Sequence, residues 1–226
     1  GMFTVYPHLN HTSIDSLFNR LNALHSVVPH LAATIVFIQE GQHQVEGYFD
    51  EDEDDQEPYL LITYPMKIIG AGQEKTIIHG GFKIQGTKEE KKRVNMQGMT
   101  MKGSSGTGLY ADNGLSFLCK DMTFTQCGYY GVAAENTKGR LINCVITQCG
   151  GSGIFCWNAL IELEGDQTKV DGNGTDEYDY GLETFDTSST IHLLFPLTKE
   201  SVSTNNHNDQ NSGGPGTIKT VTAFEL

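Results

Sequence analysis

Two stretches of this chain say nearly the same thing. Thr125-Gln126-Cys127-Gly128 returns as Thr147-Gln148-Cys149-Gly150, and Gly131-Val132 as Gly153-Ile154, both at a spacing of 22. One unit earlier, Gly108-Leu109 leads Gly131-Val132 by 23; one unit later, the interval to Gly181-Leu182 stretches to 28, with "GNGTDEYDY" read as the insertion. A period near 22 restricts the chain to a solenoid, in which each unit buries its apolar face against the next. The runs within each unit ("MTFT", "CVIT", "GVAA", "GIFC") are short, rich in β-formers and punctuated by glycine, so they are strands and not helices. The leucine spacing and helical half of a leucine-rich horseshoe are absent. The expected fold is therefore all-β, a right-handed single-stranded parallel β-helix whose turns stack ~4.8 Å apart.

Alternation assigns the faces. Leu109, Val132, Ile154 and Leu182 open equivalent strands, and Ala111, Ala134, Cys156 and Thr184 share their direction. These are small or apolar and point inward. Each strand then closes on Asn113, Asn136, Asn158 or Asp186. Asparagine tolerates the left-handed turn that a corner needs, and stacked asparagines bond along the coil. An open coil also needs a cap. Ser13 is an N-cap residue, followed by Leu17, Leu21 and Leu24 at helical spacing. Residues 1–33 are read as an N-terminal segment with a capping helix and 34–226 as the β-helix, whose last strand falls in "GTIKTVTAFEL".

A formal charge of −13 over 226 residues argues against nucleic acid and anionic membrane surfaces as partners. The basic cluster "KEEKKR" at 88–93 contains carboxylates that half cancel it, and it reads as a solvated loop. No apolar run approaches the ~20 residues of a membrane helix. The N-terminus lacks a secretory pattern, so an intracellular protein starting at Met2 is expected. Five cysteines (119, 127, 144, 149 and 156), with no CxxC pair, are expected to be buried and reduced.

A helix, then "TIVFIQEGQHQV" and "MKIIGAGQEKTIIHG", resembles the N-terminal part of pectin methylesterases, and so the pectin-lyase-like superfamily. "KDMTFTQCGYYGVAAEN" and "INCVITQCGGSGIFCWN" are similar to the β-helix repeats of F-box and Shc-binding mitotic proteins. The resemblance implies the β-helix fold and modules that bind partners or carbohydrate. It carries over no catalytic residue. The methylesterase "DFIFG" element and the polygalacturonase "DD", "GHG" and "RIK" elements have no counterpart here, and the three arginines are Arg20, Arg93 and Arg140.

The outward positions carry the functional signal. One column is Tyr110, Ala133, Phe155 and Glu183; the next is Asp112, Glu135, Trp157 and Phe185. Flat rings beside carboxylates suit a sugar, apolar on its faces and hydrogen-bonding at its edges. Tyr110, Asp112, Glu135, Phe155, Trp157, Glu183 and Phe185 are the candidate ligand-binding residues. The leading expectation is a non-enzymatic module for a glycan or protein partner. The alternative is a polysaccharide hydrolase or lyase using Asp112, Glu135 or Glu183. A third expectation has the chain's own loops, such as 172–180, covering these rings. No cofactor is expected, and the acidic run "FDEDEDDQEP" at 49–58 and the insertion from Asp171 to Asp179 read first as solvated loops. The alternative is calcium, bound in either segment, with Asp171, Asn173, Asp176 and Asp179 as the candidate ligands of the second.

Overall fold

A computed structural model describes residues 2–47, 59–87 and 92–222. The acidic run at 49–58 lies outside these residues, as does most of the basic cluster.

The chain coils into a parallel solenoid of about seven turns. One side is a seven-stranded sheet built from Tyr59–Ile62, Gly81–Gln85, Leu109–Asp112, Val132–Glu135, Ile154–Trp157, Leu182–Thr184 and Ser212–Gly213. A second sheet forms the other two sides. Its ten-residue strands Arg93–Lys102 and Ser116–Thr125 run along both of those sides through a bend. Leu109, Val132, Ile154 and Leu182 are in register and fully buried. Leu60 and Phe82 extend the same column toward the N-terminus.

Three corners close each turn, and most of them are made by residues in the left-handed region; Asp186, at the position equivalent to Asn158, lies outside it. Asn113, Asn136 and Asn158 have φ of 51°, 51° and 46° at the corner after the seven-stranded sheet. Gly98, Asp121 and Asn143 make the second corner, and Gly103, Gln126, Gln148, Gly172 and Asn205 the third. Glycine enters this region freely, and asparagine and aspartate enter it at modest cost. The cost is offset by ladders. Asn158 Nδ2 donates to Asn136 Oδ1 (2.7 Å), and Asn136 Nδ2 donates to Asn113 Oδ1 (3.3 Å). Glutamine is a poor left-handed residue, yet Gln126 Nε2 reaches Gln148 Oε1 at 3.3 Å in the same way.

Inside the third corner, equivalent positions hold Cys127, Cys149, Asn173 and Asn206, all buried. The two asparagines build an internal ladder. Cys149 N–H donates to Asn173 Oδ1 (3.1 Å), Asn173 N–H to Asn206 Oδ1 (3.0 Å), and Asn206 N–H to Asn211 Oδ1 (3.2 Å). The six residues that lengthen this turn do not sit in one insertion. Register advances by 22 from Ile142 to Glu164 but by 24 from Val145 to Lys169, so two of the six lie at the 165–168 bend. The remaining four lie between Asp171 and Leu182. The corners absorb the added length, and the strands keep their register.

Helix Ile14–Val27 caps the N-terminal end. Ser13 accepts from Ser16 N–H at 3.1 Å in a capping box, and Leu17, Phe18 and Leu21 are buried. Asn22 Nδ2 donates to the Leu61 carbonyl (2.7 Å), and Asp15 accepts from the N–H groups of Glu46 and Gly47. These bonds fasten the cap to the first turns. One element departs from the sequence reading: Phe3–Tyr6, inside the N-terminal segment, is a strand paired in parallel with Ile35–Ile38. Four residues with Phe3 two-thirds exposed offer no clean alternation to read.

The corner geometry sets the first expectation. Asn136→Ala should lower the unfolding free energy by about 1–2 kcal/mol, through left-handed strain and the loss of two ladder bonds. Asn136→Gly should lower it less, since only the ladder is lost. Equal losses in urea unfolding would show that backbone strain plays no part. The cysteines set the second. All five are free and buried, and contact with the Cys149 sulfur followed by burial pushes the Cys127 thiol well up. A thiol reagent should find five reactive groups in the unfolded chain without reductant, and few in the folded one. Three in the unfolded chain would mean that two turns are covalently joined.

Candidate functional site

The outer face of the seven-stranded sheet is set by the register that fixes the core. Tyr110, Ala133, Phe155 and Glu183 pair strand to strand in one column, continued at one end by Lys83. In the next column Gln85, Asp112, Glu135 and Trp157 are paired. Phe185 joins them because its N–H donates to the Cys156 carbonyl (2.8 Å), which seats its ring 5.2 Å from that of Trp157.

Exposure separates these residues. Trp157 and Phe185 are 43% and 54% exposed, whereas Phe155 is only 6% exposed and Ala133 is buried. Phe155, expected to be an open ring, is covered by Tyr130, stacked on it at 4.5 Å and 14°. Tyr130 lies in the corner before the strand, where a period-two pattern assigns no direction. The available signal was compositional, since "YY" at 129–130 stands where the next turn has "GS" at 151–152. The 172–180 loop leaves Trp157 and Phe185 open, and its own Tyr178 is 72% exposed.

The carboxylates are not equivalent. Glu135 is held above its usual value chiefly by burial; the Tyr110 hydroxyl pulls it back, and Asp112 adds a smaller upward push. Glu183 is likewise raised by burial, against the stabilising Ser152 hydroxyl and with Asp179 pushing upward. Ser152 Oγ donates to Glu183 Oε2 at 2.5 Å and accepts from Tyr180 N–H at 2.8 Å. Burial, then Glu183, Asp179 and Glu135, push Tyr130 up to about 12. At the N-terminal end Lys83 Nζ lies 5.6 Å from the centre of the Tyr110 ring, a cation–π contact. The Tyr59 hydroxyl accepts from Thr107 N–H at 3.1 Å.

The four oxygen-bearing residues offered to calcium are divided by the fold. Asn173 is an internal rung, and its Nδ2 is spent on the Ile146 carbonyl and Asn206 Oδ1. Asp171 accepts from Thr204 Oγ1 (2.6 Å) and Asn205 Nδ2 (2.8 Å), which ties it to the next turn. Asp179 Oδ2 accepts from the N–H groups of Thr175 and Asp176, which closes the loop on itself. Among the described residues no three His, Cys, Asp or Glu side chains are grouped to hold a metal ion. Asp176 Oδ1 accepts from Tyr178 N–H at 3.4 Å, so the four are an inter-turn tie, a ladder rung and two residues bonded within their own loop.

Residues 80–214 match the family model described as "Right handed beta helix region". The chain is a right-handed β-helix protein. Among solved structures it is similar to ORF18 of Geobacillus virus E2, with a TM-score of 0.53 and 14% sequence identity. The match covers 91% of this chain and 44% of that one, so this chain spans less than half of the length of the chain it matches. At this identity the likeness is one of fold. A search of curated proteins found no match.

The raised glutamates give a pH expectation. Glu183 binds its proton more tightly folded than unfolded, so the folded state loses stability as pH rises from the usual value of 4.5 through the raised one. Glu183→Gln removes that loss while keeping an acceptor for Ser152. The variant should melt higher than wild type at neutral pH, and the gap should close well below 4.5. A gap that persists in acid would assign the effect to something other than ionisation.

Proposed function

We propose that the β-helix is a binding module whose Trp157–Phe185 face holds carbohydrate. One observation carries this reading. Two aromatic rings 5.2 Å apart stay open to solvent on a rigid sheet, beside half-buried carboxylates in the same column. Exposed apolar surface of this kind favours a ligand that covers it. A pyranose has an apolar face to stack and hydroxyls that reach Glu135 and Asp112.

The alternative is hydrolysis, for which two acids of distinct character are needed. Glu135 and Glu183 are both raised, and their strands are separated by the strand Ile154–Trp157. Glu183 pairs with the column of Ala133, two residues before Glu135, so two strand spacings across and two residues along put the pair on the order of 12 Å apart at the backbone, a gap that two glutamate side chains can narrow toward that of an inverting pair. The ground between them, however, is occupied by the Tyr130–Phe155 stack. A scissile bond there would have to displace that stack, and neither Val132–Glu135 nor Leu182–Thr184 carries a cation for developing charge. Binding accounts for the same residues without displacing that stack.

Trp157 is the chain's single tryptophan, so its emission reports directly on this face. Titration with neutral, acidic and amino oligosaccharides should shift or quench it saturably for at least one class, and Trp157→Ala should remove that binding in calorimetry. Release of reducing ends that Glu135→Gln or Glu183→Gln abolishes would establish the hydrolase instead.

A further inference from the structure

The outer column is a straight track, contributed by five consecutive strands: Phe185, Trp157, Glu135, Asp112 and Gln85. It begins with two open rings and continues with two carboxylates. Successive positions are one strand spacing apart, ~4.8 Å, about the length of one pyranose in an extended chain. A linear oligosaccharide lying along the solenoid axis therefore meets one residue per sugar.

The charge along this track is one-sided. Asp112 and Glu135 are cross-strand neighbours in register, and like charges so placed repel. Among the described strands of this sheet the one cation is Lys83, and it is engaged over the Tyr110 ring. Asp179 and Glu183 add negative charge at the aromatic end, as their effect on Tyr130 shows. A uronic-acid chain would bring carboxylates against carboxylates. A neutral chain would cover the rings but leave the Asp112–Glu135 repulsion in place. A ligand ammonium placed between the two carboxylates relieves it and gains charge-assisted hydrogen bonds.

We propose that the ligand of this face is a linear oligosaccharide carrying free amino groups, its rings stacked on Phe185 and Trp157 and its ammonium groups on Glu135 and Asp112. This rests on the carbohydrate-binding reading above and narrows it to a substrate class.

The test is calorimetric titration at neutral pH with the tetramer of glucosamine, its fully N-acetylated form, a galacturonate tetramer and tetralysine. Wild type is compared with Asp112→Asn/Glu135→Gln and with Trp157→Ala, each first shown by thermal melting to be folded. The glucosamine tetramer should bind on the order of tenfold more tightly than the acetylated one. The double carboxylate variant should erase that preference while keeping the acetylated affinity, and Trp157→Ala should weaken both. Equal binding of the two forms, a preference for galacturonate, or a preference that survives in the double variant would overturn this inference and leave carbohydrate binding standing. Binding of tetralysine with no sugar bound, or no binding of any sugar, would overturn both.

Discussion

Everything in this molecule depends on turns that stack in register. A parallel strand bonds to the strands of the turns before and after it, so one residue of slippage would turn its buried column outward. The corners hold the register. At Asn113, Asn136 and Asn158 left-handed residues bend successive turns alike, and their side chains bond to their counterparts one turn away. The interior adds its own check, because Asn173 and Asn206 bond both to the backbone and to each other. Where the chain carries extra residues, they bulge at two corners and leave the strands matched.

The same register builds the outer face. A side chain aimed away from the core lines up with its equivalents in neighbouring turns whether or not they suit each other. Asp112 beside Glu135 is such a forced neighbour, as is Phe185 beside Trp157. Their placement costs solvation and repulsion. Phe155, by contrast, is covered from within the chain by Tyr130.

The fold was legible because repetition and alternation are properties of sequence alone. Leu109, Val132, Ile154 and Leu182 could be assigned to one buried column from spacing, and Trp157 and Phe185 to the opposite face by parity. Two kinds of residue escaped that reading. Tyr130 sits in a corner, where side-chain direction follows the local turn and not a period. Asn173 has the chemistry of a calcium ligand, but an inward-facing position turns it into a ladder rung. The difference is burial, which a string of acidic and amide residues does not encode. The strand Phe3–Tyr6 escaped for a simpler reason, being short and lacking alternation.

Because each turn contributes one residue to each outer column, the face behaves as a ruler. Its length is counted in copies of a single unit, and duplicating or deleting one turn moves an end of the track by one graduation without disturbing the rest. A chain built this way can change the extent of what it covers through copy number alone, with no new residue placed by selection.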